Sequence, residues 1–376
     1  PVTVQVQPPF AFSDVVVRPL SKGVRPRVEN GRITFTLPSP GGYSLELDGY
    51  HHNLHLLADP PKTYAVDRHD PQTLYFPPGC HDVGILQLKD GQTVFLDEGA
   101  VVYGCIHATD CTGIRILGRG ILDNSKNVET ILFEMEKLGD GSVDVRNAKR
   151  EHTIHLVRCQ DVVLDGITIR DSLVYNVGLW GCDDVEISNL KIIGSWRFNT
   201  DGIDFHNCRR CHVTDCFVRT FDDTICFKGH LGYQPTCEDI LVENCVVWCD
   251  WDHCLEIGAE CCADHMRRLT FRNIDVIRSL DIAMNIGNVD YGHVHDVLFE
   301  DIRVEMDKVY QRPRIQVDDS ETFPIDPNST WLPTLMSCRV LHHHEYSGGR
   351  PERGHISDIT FRDIHVLSER MPPSFF

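Results

Sequence analysis

Three short stretches interrupt an otherwise apolar pattern with acids: Asn199-Thr200-Asp201-Gly202-Ile203-Asp204, Phe221-Asp222-Asp223-Thr224-Ile225-Cys226-Phe227-Lys228-Gly229 and Asp252-His253-Cys254-Leu255-Glu256-Ile257-Gly258. Carboxyl groups a few ångströms apart cannot all ionise freely. Crowding raises the pKa of one and leaves another charged. A protonated acid can donate to a leaving oxygen while an ionised partner takes a proton from water, which is what hydrolysis of a glycosidic bond requires. Such work needs the groups to converge in space. Asp201 and Asp222 are 21 residues apart, and His253 follows about one further period along. A lone aspartate is explained as well by a turn, whose backbone it hydrogen-bonds. The adjacent pair Asp222-Asp223, one period after Asp201, favours a site.

The element that would position these groups is a repeat. Segments opening at Cys111, Cys159, Cys182, Cys208 and Cys237 align with one another, and later copies open at Met266, Val294 and Ile356. One apolar column reads Val162, Val185, Cys211, Ile240, Leu269, Val297, Ile359, with steps of 23, 26, 29, 29, 28 and 62 residues. This period is too short for a propeller blade and suits one coil of a β-solenoid, in which each coil buries its apolar side only by stacking on its neighbours. The predicted fold is all-β: a right-handed parallel β-helix. The cysteine column then becomes an inward ladder of small side chains, since free cysteine is among the most buried residue types. The long last step implies an insertion over 311–353, rich in Pro, Ser and His, expected to form a surface loop.

The first 70 residues read differently. Val2–Val6, Arg32–Leu37 and Tyr43–Leu47 alternate apolar and polar side chains, the mark of half-buried strands, and Asn30-Gly31 is a hairpin turn signal. We expect a small antiparallel β-sandwich over 1–70 and the β-helix over 71–376, with the proline-rich stretch from Asp59 to Pro78 joining them. The sandwich is expected to wall one end of a cleft or to mediate self-association into a homo-oligomer.

Composition narrows the partners. A formal net charge of −19 lacks the basic face that nucleic acid or an anionic membrane needs, and no run of about 18 apolar residues marks a membrane span. The expected partner is a carbohydrate, with no cofactor and no metal. Sixteen cysteines lack zinc-ribbon spacing, and Cys208–Cys211 stands alone as a CxxC. We read them as reduced thiols in a cytoplasmic protein. The opening PVTVQVQPPF has no leader character, and removal of a leader would make the protein secreted.

Asn199-Thr200-Asp201-Gly202 and Asp222-Asp223, followed by Ile225 and Lys228-Gly229, resemble the signatures of glycoside hydrolase family 28, the polygalacturonase group. The stretch from Asp252 to Gly258 is similar to that family's Gly-His-Gly motif, keeping its histidine and the Leu/Ile/Gly frame. The resemblance runs over roughly residues 72 to 367. The dextranase family 49 is similar in architecture, with a sandwich in front of the helix. The resemblance implies an inverting hydrolase with Asp222 as general acid and Asp201 and Asp223 holding and activating the water. It further implies that His253 orients the acid or hydrogen-bonds the sugar, and that Asn199 and Lys228 line the site. The family's Arg-Ile-Lys motif has no counterpart: Leu280-Asp281-Ile282-Ala283 stands there instead. An acid at Asp281 would repel a galacturonate and accept hydrogen bonds from a neutral sugar, so a neutral glycan is preferred over a pectin-type substrate. Glu256 is a further candidate substrate contact.

Other features weigh less. Trp196, Phe198, Trp248 and Trp251 suit either sugar stacking or packing. His342-His343-His344-Glu345 could ligate a metal but is read as a solvated loop, and His51, His52 and His55 as surface or interface residues. Two other classes compete: a non-catalytic carbohydrate-binding β-helix, which has no need of three convergent aspartates, and a β-helix lyase, which needs a basic proton acceptor.

Overall fold

The computed structural model describes residues 1–126, 151–306, 328, 331–342 and 351–376, with the two short strands Glu136–Lys137 and Val143–Asp144 between them. The chain is a right-handed parallel β-helix preceded by two small antiparallel sheets. In the first sheet, Arg27–Glu29 and Arg32–Leu37 form a hairpin whose turn residues Asn30 and Gly31 both take positive φ, as their types predict; Val2–Val6 pairs with its other edge. The second sheet joins Val15–Arg18, Gly41–Leu47 and Asn53–Ala58. Ile33, Phe35 and Leu37 of one sheet pack on Val17, Tyr43, Leu45 and Leu47 of the other, which makes a sandwich core.

Thr73–Phe76 is the first strand of the 26-stranded parallel sheet that winds through the rest of the described chain. Its register follows the sequence repeat. Val162 pairs with Val185, Val185 with Cys211, Cys211 with Ile240, Ile240 with Leu269, Leu269 with Val297, and Val297 with Ile359. Each of these side chains enters one continuous core, where Phe227, Phe271, Phe299 and Phe361 stack at ring separations of 4.8–5.2 Å. Cys111, Cys159, Cys182, Cys208 and Cys237 form the buried thiol ladder, and all sixteen cysteines are free. A buried thiol column packs equally well in either redox compartment, so it does not bear on location. Among the described residues no helix is long and apolar enough to cross a membrane.

The corners explain why acids and amides recur. Asp161, Asp184, Arg210, Asp239, Arg268, Asp296 and Asp358 occupy one corner with φ of 52–60°, and Asn189, Asp215, Asn244, Asn273, Asp301 and Asp363 another with φ of 50–58°. Asn and Asp tolerate this left-handed conformation better than most residues, because their short polar side chains bond locally.

One expectation is corrected. Within 311–353, Thr334–Val340 is no loop; it is a sheet strand stacked directly beneath Ile282–Asn288. The 62-residue step therefore holds a full coil as well as inserted chain. His343, His344 and Glu345 lie outside the described residues, and His342 is exposed.

The sandwich is bolted to the flank of the helix. Arg18 pairs with Glu46 at 3.1 Å and with Glu305, and Arg278 reaches Glu46 at 2.8 Å. Beside this ion cluster Trp248 is fully buried against Phe217, Ile277, Tyr50 and Leu57. His55 sits edge-on to Trp248, its pKa pushed down to about 3 by burial and then by Arg219. His55 is thus an interface residue, whereas His51 and His52 are exposed. Trp248 belongs to this seam and is unavailable for sugar stacking.

Candidate active site

Four stacked strands, Ile203–His206, Ile225–Gly229, His253–Cys261 and Ile282–Asn288, build one face of the helix. Ile203, Ile225, Leu255 and Met284 align in register and point into the core. The acids enter this face at one level. The amide of Gly202 donates to the carbonyl of Asp223 at 2.8 Å, and that of Thr224 to the carbonyl of His253 at 3.0 Å. Asp201, Asp223 and His253 therefore occupy the same position on three successive coils. Gly202 is required by the stacking, since a Cβ there would lie 2.2 Å from the Thr224 carbonyl oxygen.

Lys228 ties two of the acids together. Its Nζ lies 3.1 Å from Asp201 Oδ2 and 3.8 Å from Asp223 Oδ2, with Glu260 at 4.0 Å and the Tyr175 ring 5.2 Å away. Asp222 has a different partner: its Oδ2 accepts the Asn199 amide at 2.8 Å, which is how Asn199, in the left-handed conformation at φ 58°, enters the site. His253 gathers the remaining acids. Its Nδ1 lies 3.2 Å from Asp223 Oδ1 and 3.3 Å from Glu256 Oε2, and its Nε2 lies 3.0 Å from Asp252 Oδ1. The ring thus pairs with Asp223, Asp252 and Glu256, and it meets Asp223 rather than the adjacent Asp222.

These environments split the protonation states. Burial raises the Asp222 carboxyl well above the usual range, with the Asp252 and Asp223 charges adding to it. Burial would raise Asp223 too, but the hydrogen bond and charge of His253, with Lys228, hold it below the ordinary aspartate value. Burial likewise lifts Asp201, opposed by Lys228 and reinforced by Asp222 and Asp223. Burial pushes Asp252 and Glu256 up to about 7, each moderated by His253. Burial disfavours the His253 cation, yet Asp252, Glu256 and Asp223 together raise its pKa well above normal. The adjacent pair Asp222-Asp223 is thereby driven in opposite directions, Asp222 up and Asp223 down.

Asp201, Asp222, Asp223, Asn199, Lys228, His253 and Glu256 come together as the sequence led us to expect. Asp281 lies one coil beyond His253, half-buried, and its charge adds to that felt by Asp252. Asp252 is the residue that sequence reasoning left without a role, although the Asp252-His253 dipeptide carried the signal. Tyr175, half-buried beside Lys228, had no motif to betray it. Trp251 stacks parallel to Phe221 with a ring separation of 5.7 Å and meets Phe198 edge-on, so the two half-exposed rings Trp251 and Phe198 border the Asp222 side. Along the floor, Asp201 Oδ1, Asp204 Oδ2, both ring nitrogens of His206 and Asn285 Oδ1 are buried and make no hydrogen bond to protein. Such polar atoms demand partners, and a hydroxyl-rich ligand or water would supply them.

The model of glycosyl hydrolases family 28 matches residues 88–318. A probable exopolygalacturonase B of Aspergillus terreus is 27% identical over 38% of this chain and 34% of its own length. A probable rhamnogalacturonase B of the same organism is 23% identical over 60% of this chain and 41% of its own length. The chain therefore spans less than half the length of these curated relatives. Among solved structures, a hyperthermoactive exopolygalacturonase from Thermotoga maritima superposes with a TM-score of 0.55 at 17% identity, covering 81% of this chain and 80% of that one, which is a likeness of fold.

Proposed function

The chain belongs to glycosyl hydrolases family 28, and from that premise we propose that it hydrolyses a glycosidic bond in a poly- or oligosaccharide with inversion at the anomeric carbon. The observation that carries this reading is the stacking of Asp201, Asp223 and His253 at one position of three successive coils, with Asp222 beside them. Asp222 protonates the leaving oxygen. Asp223, ionised through His253 and Lys228, takes the proton from the attacking water. Asp201, whose Oδ1 has no protein partner, orients that water. This shifts the base role onto Asp223, because burial keeps Asp201 from ionising as readily.

The sugar next to Asp281 is neutral in this reading. The buried cation on the cleft floor, Lys228, is already paired with Asp201, and Asp281 adds negative charge where a carboxylated sugar would need a cation. A pectin-type substrate is the second reading. The names of the curated relatives favour it, as does Arg339, exposed at the floor position in register with Gly287. Reducing-end release from galacturonan, rhamnogalacturonan and neutral glucans, with the product anomer followed by NMR, tests both. An inverted anomer is expected; release from none of these glycans, or a retained anomer, would sink the proposal.

A further inference from the structure

We propose that His265, His293 and His295 form a binding site for a divalent transition-metal ion, of which zinc is the fitting case, separate from the acidic cleft. The three residues come from two stacked coils. His265 and His293 open their strands in register, and His295 lies two residues on, so its side chain returns to the same face. One donor nitrogen from each lies within 4.8 Å of the other two. His265 Nδ1 and His295 Nε2 are 3.1 Å apart, close to the roughly 3.3 Å edge of a tetrahedron with zinc–nitrogen bonds of about 2.0–2.1 Å.

The surroundings select the tautomers that ligation needs. His295 Nδ1 lies 2.9 Å from Asp296 Oδ2, an acceptor only, so that nitrogen carries the proton and Nε2 keeps its lone pair. Ser357 Oγ donates to Asp358 at 3.0 Å and therefore accepts from His293 Nε2 at 2.9 Å, which leaves His293 Nδ1 as the bare nitrogen. The lone pair of His295 Nε2 thus meets the proton of His265 Nδ1, and a metal ion would replace that proton, with a nitrogen of His293 within 4.8 Å as the third ligand. A carboxylate behind one ligand and a serine–carboxylate relay behind another are the outer contacts that orient imidazoles on metals. The fourth position is open to water, because the rings are only partly buried. A bound ion would pin neighbouring coils at the corner that follows the strand bearing His253 and Glu256.

The test uses the whole chain freed of metal by chelator and titrated with cobalt(II), whose visible absorption reports nitrogen ligation in tetrahedral geometry. One equivalent should bind with that spectrum, zinc should displace it, and zinc should raise the melting temperature. His293→Ala and the milder His265→Gln should abolish the band, and Asp296→Asn should weaken binding about 10–100-fold. Circular dichroism checks that each variant is folded. Asp223→Asn, in the acidic cleft, should bind cobalt as the parent does. The proposal is overturned by an absent band in the parent, by a band that survives both histidine substitutions, or by its loss in Asp223→Asn.

Discussion

Nδ1 of His253 stands 3.2 Å from Oδ1 of Asp223, and the same Asp223 oxygen also faces the His253 backbone amide at 3.2 Å. One residue therefore serves Asp223 twice, while Asp222, its neighbour in sequence, receives nothing from it. The consequence is a division of labour between adjacent carboxyls. His253→Gln removes the cation that holds Asp223 low, so Asp223 ionises at higher pH. The acidic limb of the kcat/KM profile should move up in pH, with a lower maximum. A profile whose acidic limb stays put would mean that His253 does not set the ionisation of the base.

The opposite limb belongs to Asp222. On the proposed mechanism activity needs it protonated, so rate falls as pH rises through its raised pKa. After burial, the charge of Asp252 is the leading cause of that rise. Asp252→Asn should therefore lower the Asp222 pKa and draw the basic limb to lower pH. The two limbs report a coupled cluster, so the shift is read in the macroscopic profile and not assigned to one proton. Movement of the basic limb to higher pH would contradict the arrangement.

Asp222→Asn removes the transferable proton while keeping the shape and the hydrogen bond from Asn199. Loss of general acid catalysis is worth about 10²–10⁴ in rate, and kcat should fall by that factor with unchanged circular dichroism. Near-parental turnover on the best glycan would show that another group supplies the proton.

The ion cluster between sandwich and helix predicts a stability effect with a definite pH sign. Arg18→Met leaves Glu305 buried without its arginine, and breaking a buried pair from one side costs about 3–5 kcal/mol. Burial already lifts Glu305 to about 7, despite Arg18. Between its unfolded value of 4.5 and 7 the native state holds a proton that the unfolded chain has lost, so this group makes stability fall as pH rises across that window. Without Arg18 the window extends upward. Urea melts at pH 5 and pH 8 should show the larger deficit at pH 8, and an equal deficit at both would exclude Glu305 as the origin.

Much of this was legible because a solenoid converts sequence period directly into spatial register. The column from Val162 to Ile359 could be written from the sequence alone and reappears as strand pairs. Convergence of Asp201 with Asp222-Asp223 follows from the same arithmetic. What the period could not supply was direction within a coil. Adjacent residues on a strand point to opposite sides, and at a corner even that rule lapses, so the period brings His253 near these acids without telling that its ring meets Asp223 and not Asp222. For Trp248 the choice between sugar stacking and packing stayed open for a related reason. Its outward strand position suggests a surface ring, and only the docked sandwich, which no repeat announces, buries it. Thr334–Val340 was lost because the surrounding inserted chain hid a strand inside a gap.

Asp281 is the residue through which substrate charge can be decided. It follows His253 by one coil, in the place where the resemblance would put the first cation of an Arg-Ile-Lys motif, and Ala283 takes the place of the second. A carboxylate there disfavours an anionic sugar by repulsion and can accept hydroxyl hydrogen bonds from a neutral one. The two substrate readings therefore predict opposite responses to Asp281→Asn. If the adjoining sugar is neutral, the amide loses an acceptor and kcat/KM on the neutral glycan should drop by roughly 10- to 100-fold, the worth of a hydrogen bond to a charged group. If the sugar is a uronate, relief of repulsion should raise kcat/KM on galacturonan, most at low ionic strength where charges are least screened. Paired assays of parent and variant on both polymers, at two salt concentrations, give the answer. A gain on galacturonan that fades with salt would overturn the neutral-sugar reading while leaving the hydrolytic machinery of Asp222 and Asp223 intact.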